Sequence, residues 1–256
     1  MPALAGLPDL DAQVSRCMAL GLDFIELNMN LPEYIPARLE PALLREATSK
    51  HGIGFTLHGP EELDLASIHD ELRDAHRSLL EKTLEWAYIA DITIFTMHLH
   101  SGIYFTLPGG KLWIHDRYRE RFLETLFDSF EFLAARAGEY GITLCIENTD
   151  NFHLPHISEA LESILTLEET GLTWDTGHDL KGGSRDYPVL MKHRDRIRHL
   201  HLHESDGKTA HLPPGNGSLE VPAILSFAQK RGCSVVLEVK TSEGLEESVE
   251  YVKKLL

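Results

Sequence analysis

Apolar and polar positions alternate in four short segments of the chain's second half, and each segment closes on a carboxylate or an imidazole. In TLCIENT, Leu144 and Ile146 share one face while Thr143, Cys145 and Glu147 share the other. In LTWDTGH, Leu172 and Trp174 oppose Thr173 and Asp175; in RHLHLH, Leu200 and Leu202 oppose His199, His201 and His203. In VVLEVK, Val235, Leu237 and Val239 oppose Val236, Glu238 and Lys240. Strand side chains alternate between two faces, and a parallel strand covered by helices needs an apolar outer face, so the polar set points inward. Ionised groups in an interior are costly unless paired or metal-bound. Glu147, Asp175, His201 and Glu238 therefore read as a divalent-metal site; the bland alternative is a buried polar network without metal.

Strands are predicted near 3–6 (the weakest), 23–28, 53–58, 93–100, 142–148, 172–176, 198–203 and 234–239. Helical spacing links Leu79, Leu80, Thr83, Leu84, Ala87 and Tyr88, and again Phe122, Leu126, Phe130 and Leu133. Pro222 suits a helix start, and Ser242 is expected to cap a last helix burying Leu245, Val249, Val252 and Leu256. Strand and helix alternate without a linker or repeat, which predicts a parallel α/β fold. An open doubly wound sheet would share the pattern, but its ligands gather at one switch point, whereas here nearly every strand ends in polar residues. The expectation is one (β/α)8 TIM barrel domain over residues 1–256, with a short or irregular first strand.

Composition changes this picture little. A hydrophobic content of 43% and a charged content of 25% are ordinary for a globular chain of 256 residues. No apolar run reaches the ~20 residues that span a bilayer, and the start lacks the basic residues of a secretory signal. The expectation is a cytoplasmic protein with no membrane partner. Cys17, Cys145 and Cys233 show no paired spacing, so no disulfide is expected, and Cys145 reads as core packing. The net charge of -16 argues against nucleic acid as a partner, since phosphates are bound mainly by Lys and Arg. Among fifteen histidines, His58, His98, His100, His178, His201, His203 and His211 fall at or just past strand ends.

The strings GLDFIELN (with Glu26), LHGP (His58), MHLHSG (His98, His100), IENT (Glu147), WDTGHD (Asp175, His178), HLHESD (His201), HLPPGNGSL (His211) and LEVK (Glu238) follow one another in order over about residues 20–240. In order and spacing they resemble the xylose-isomerase-like TIM barrel superfamily, which includes sugar phosphate isomerases and epimerases and the endonuclease-four-type apurinic endonucleases. The epimerase branch implies one divalent ion (Mn, Zn, Co or Mg) on Glu147, Asp175, His201 and Glu238. It implies Glu147 and Glu238 as the catalytic acid/base pair, with His178 near a substrate hydroxyl. The substrate implied is a sugar or sugar phosphate.

The endonuclease branch implies further zinc ligands at His58, His98, His178 and His211, although Thr209 stands where that branch has an aspartate. A second metal, or substrate binding, by His58, His98, His178, His211 and Lys240 is thus left open. So is a register two residues off, which would exchange His98 for His100 or His201 for His203. Three functions follow: a metal-dependent isomerase or epimerase, first; a metal-dependent phosphodiesterase; and a non-catalytic sugar-binding barrel. Lys181 and Arg185 are weak candidates for holding a phosphate. The long aromatic loop 101–115 is a lid, an oligomer contact or a small hairpin, and homo-oligomerisation is open.

Overall fold

A computed structural model describes residues 1–255. The strands in chain order are β1 (Phe24–Asn28), β2 (Gly54–His58), β3 (Ile94–His98), β4 (Tyr104–Leu107), β5 (Gly110–Trp113), β6 (Thr143–Glu147), β7 (Thr170–Asp175), β8 (Ile197–Leu202) and β9 (Ser234–Leu237). The helices are α1 (Leu10–Leu20), α2 (Pro41–His51), α3 (Asp70–Ile89), α4 (Ile114–Arg117), α5 (Arg119–Tyr140), α6 (Pro155–Ile164), α7 (Thr176–Lys181), α8 (Tyr187–Lys192), α9 (Val221–Arg231) and α10 (Ser242–Lys253). Seven strands pair in the order β1-β2-β3-β6-β7-β8-β9, all parallel, and curl into a nearly closed barrel with flanking helices.

The barrel forms because each strand carries an apolar outer row for the helices to cover. Ile25, Leu27, Leu57, Phe95, Met97, Leu144, Ile146, Leu172, Leu200 and Leu202 are all buried there. The covering faces are equally apolar: Leu80, Leu84 and Ala87 on α3, and Phe122, Leu126, Phe130 and Leu133 on α5. The inner row differs from the branched aliphatic layers that usually fill such barrels. Glu26, Thr56, Thr96, Cys145, Thr173 and His199 are buried inside, and the Thr96 and Thr173 hydroxyls meet at 2.9 Å.

Several expectations need correction. No strand forms at 3–6; the eighth position is filled by residues 1–3, where Pro2 makes an isolated parallel bridge to Glu26 and Ala3 N–H donates to Glu26 O at 2.7 Å. Proline has no N–H and Gly6–Leu7–Pro8 follows closely, so a regular ladder cannot extend. On α3, Leu79 and Tyr88 are 42% and 54% exposed and flank the buried stripe rather than joining it. The cap of α10 is Thr241, whose hydroxyl accepts Gly244 N–H at 3.0 Å; Ser242 is already helical. Leu245 and Val249 are buried as expected, Val252 is half-buried, and Leu256 lies outside the described residues. Pro222 sits in the first turn of α9, and all three cysteines are free. Loop 101–115 folds as an antiparallel hairpin, β4 with β5, with Tyr104 and Phe105 exposed. No helix among the described residues is long and apolar enough to cross a membrane.

Candidate metal centre

Parallel strands place their carboxyl ends at one rim, and the inward parity of Glu147, Asp175, His201 and Glu238 brings them together there, each buried. His201 Nδ1 lies 3.3 Å from Glu147 Oε1, 3.3 Å from Glu238 Oε2 and 3.7 Å from Asp175 Oδ2. Donor atoms bonded to one cation at about 2.1 Å stand roughly 3.0–3.4 Å apart, so this spacing suits a shared divalent ion. Glu147 Oε2, both His201 nitrogens and Glu238 Oε2 are buried without a hydrogen-bond partner, and a bound cation would relieve this for Glu147 Oε2, His201 Nδ1 and Glu238 Oε2. Three carboxylate oxygens and one imidazole nitrogen form a donor set for Mn²⁺, Mg²⁺, Co²⁺ or Zn²⁺.

Surrounding bonds hold the four in place. Asn148 donates to Asp175 O at 2.9 Å and accepts Asp175 N–H at 2.8 Å, which ties the ends of β6 and β7 together. Asp175 Oδ1 accepts His178 N–H at 2.5 Å, so the same carboxylate caps α7. Lys240 Nζ is 2.7 Å from Glu238 Oε1, although the lysine side chain is 54% exposed. Burial opposes ionisation of Glu147, yet His201, His58 and His98 hold it well below the usual carboxylate range. Glu238 is likewise held low, against its burial, by His201 and Lys240. Burial pushes Asp175 upward despite His203.

Two histidine groups flank the centre. On one side His58 Nε2 and His98 Nε2 lie 3.2 and 3.3 Å from Glu147 Oε2. His58 Nδ1 is 2.8 Å from Gly59 O, which only an N–H can satisfy, so Nε2 is the atom turned to the carboxylate. Burial would lower His58, but the close Glu147 carboxylate raises it to about 9. On the other side stand His178, His203 and His211. His203 Nδ1 accepts His211 N–H at 2.8 Å while its Nε2 lies 3.0 Å from Asp175, so both its nitrogens are engaged. His211 Nδ1 lies 3.1 Å from Glu238 O, and burial lowers that histidine to about 4. The His203 ring needs Gly177 beneath it, because a Cβ there would sit 2.0 Å from the ring.

At both strands the two register alternatives face different partners. His201 Nδ1 faces the carboxylates and His203 braces Asp175, while His98 reaches Glu147. His100 lies on the rim, 3.9 Å from Asp64. Arg185 pairs with Asp150 at 2.5 Å, and Lys181 is exposed; neither lines a cavity at the centre. Cys145 is fully buried, and burial pushes its thiol up to about 12, consistent with packing. The contacts of Glu26 with His199 and His201, of Asn148 with Asp175 and of His203 with Asp175 were not foreseen from the sequence. The signal for Glu26 was there, since an inward glutamate in FIELN is a carboxylate that a barrel interior must pair. A cavity opens at the seam between β9 and β1, lined by Pro2, Asn28, Asn30, His58, Glu238 and Lys240 among others.

Comparison with known proteins agrees with this architecture. An uncharacterised protein of Methanocaldococcus jannaschii, MJ1311, is 24% identical over 231 residues, covering 82% of this chain and 75% of the relative. A solved D-tagatose 3-epimerase-like protein superposes with a TM-score of 0.78 at 20% identity, covering 100% of this chain and 95% of its own. The IOLI protein, solved with a zinc atom, gives 0.72 at 18% identity, with 97% and 92% covered. At these identities the solved structures establish the fold alone. The profile described as xylose isomerase-like TIM barrel matches residues 14–255, and the chain belongs to that family.

Proposed function

We propose that this protein is a divalent-metal-dependent isomerase or epimerase of a sugar or sugar phosphate that moves a proton on carbon. The observation carrying the reading is the pairing of Glu147 and Glu238. They come from strands separated by two others, yet each directs one oxygen to the same His201 nitrogen at 3.3 Å. Glu147, Asp175, His201 and Glu238 would hold the ion. Bound there, it would polarise neighbouring carbonyl and hydroxyl oxygens of the sugar and so acidify the adjacent C–H.

One of the two glutamates then takes the proton from carbon, leaving the electron pair delocalised toward the carbonyl oxygen. For transfer to the neighbouring carbon the same carboxyl returns that proton; for inversion the other glutamate, once it has taken a proton from a substrate hydroxyl or solvent, delivers it to the opposite face. Each turns a carboxylate oxygen to the shared centre, so either can act as the base. Lys240, which contacts Glu238, and His178, near Asp175, would bind substrate hydroxyls. The names of two solved neighbours, a 3-epimerase-like protein and a zinc-carrying one, support the reading.

A second reading, phosphodiester hydrolysis with a second ion, is favoured by the His58, His98 and Glu147 group. The experiment that separates them is solvent-deuterium wash-in. Ketohexoses and their phosphates are incubated in D₂O with metal-loaded protein, in parallel with abasic-site DNA. Deuterium at the carbon next to the carbonyl, lost in Glu147→Gln and Glu238→Gln, supports proton transfer. Cleavage of the DNA without wash-in supports hydrolysis and overturns the first reading.

A further inference from the structure

We propose that Glu26 is a positioning residue for this centre: backed by His199, it fixes the His201 ring so that Nδ1, and not Nε2, is presented to Glu147, Asp175 and Glu238. The proposal rests on the metal reading above and assigns a role to residues below the rim. Glu26 lies inside the barrel on β1 and is 3% exposed. Its oxygens are divided between two rings, with Oε1 2.8 Å from His201 Nε2 and Oε2 2.9 Å from His199 Nε2. The Thr56 hydroxyl also donates to Oε2, at 3.2 Å. His199 Nδ1 is 2.5 Å from Ser234 Oγ, so the serine hydroxyl serves that nitrogen and the Nε2 proton is left for Glu26.

A carboxylate only accepts, so each imidazole facing it must turn an N–H toward it. For His201 the approach to Glu26 Oε1 is a charge contact rather than a hydrogen bond, and a cation among the rim carboxylates would leave the ring's one proton on Nε2, facing Glu26. Nδ1 is then the nitrogen whose lone pair can serve a cation among the three rim carboxylates, and a partner on the far nitrogen raises its basicity. Thr56 on one side and the His199–Ser234 pair on the other hold the Glu26 carboxylate in place. A glutamate buried this deeply, with no lysine or arginine against it among the described residues, is a costly way to fill a barrel. Aliphatic side chains would fill the space more cheaply, but none would orient His201.

The test compares wild type with Glu26→Gln, which keeps the shape but removes the charge and turns an amide N–H toward one of the two imidazoles. Co²⁺ affinity is measured by competition titration on the visible absorption band, and the thermal midpoint is measured on chelator-treated protein. The expected result is a Co²⁺ affinity lower by about 10- to 100-fold, with an altered absorption band and a metal-free midpoint that is unchanged or raised. Glu26→Asp, which keeps the charge but retracts it, should fall between the two, and it carries the same comparison should the Gln variant fail to fold. Equal Co²⁺ affinity in wild type and variants, with only the midpoint lowered, overturns the proposal while leaving the metal reading intact. Absence of Co²⁺ binding by wild type overturns both.

Discussion

The two histidine groups beside the rim carboxylates are similar in residue type and opposite in wiring. On the Glu147 side, His58 spends Nδ1 on Gly59 O, and its Nε2 and that of His98 converge on one partnerless carboxylate oxygen. On the Asp175 side, His203 has both nitrogens engaged and His211 has Nδ1 beside Glu238 O, which leaves both His178 ring nitrogens and His211 Nε2 to spare. The first group is electrostatically open, ready for a proton or a cation. The second is largely closed on itself and serves to brace Asp175 and Glu238. A histidine cluster is therefore informative only once the second nitrogen of each ring is accounted for.

The largest expected effect lies between the two groups. Glu238→Gln should lower deuterium wash-in by about 10²–10⁴-fold, the range for losing a positioned acid or base. Full retention would remove Glu238 from the chemistry.

The next effect tests the open side through pH. His58 is raised from 6.5 to about 9 in the folded chain, so its contribution is fully present below pH 6.5 and is lost as pH rises through about 9. That corresponds to about 3 kcal/mol of metal-free stability. Denaturant unfolding of chelator-treated protein at pH 6 and pH 9.5 measures it. His58→Gln should flatten the difference, and an unchanged pH profile in that variant would show that His58 does not carry the charge.

On the closed side, Gly177→Ala should cost about 1–3 kcal/mol, since the new methyl must displace the His203 ring. Thermal unfolding and metal content report it together; loss of both would show that the closed side braces Asp175. The smallest effect is expected for His211→Ala, which should leave the bound metal in place by elemental analysis. Loss of a metal equivalent there would mean that the closed group is itself a metal site.

Much of the barrel was legible because strand parity is local. The inner face of TLCIENT, LTWDTGH, RHLHLH and VVLEVK could be read directly, and it does bring Glu147, Asp175, His201 and Glu238 to one point. What escaped depends on contacts far apart in the chain. The contacts of Glu26 with His199 and His201 appear only when barrel closure carries β1 toward β8. The contrast between His201, whose ring nitrogens make no hydrogen bond, and His203, whose two are both engaged, is invisible to parity, which is identical for both. The edge errors have simpler causes. Thr241 and Ser242 are both good caps, and only the extended backbone at Thr241 selects it. Leu79 and Tyr88 fit a helical stripe, but its exposed margins are set by how far α3 rolls onto its neighbours.

The central claim is that Glu147, Asp175, His201 and Glu238 hold one divalent ion and that the open His58 side is not needed to keep it. Elemental analysis of protein purified without chelator or affinity metal tests this directly, comparing wild type with Glu147→Gln and His58→Ala. About one Mn, Zn, Co or Mg per chain in wild type and His58→Ala, and none in Glu147→Gln, is the predicted result. Two or more zinc ions in wild type, with one lost in His58→Ala, or no ion in wild type, would contradict it.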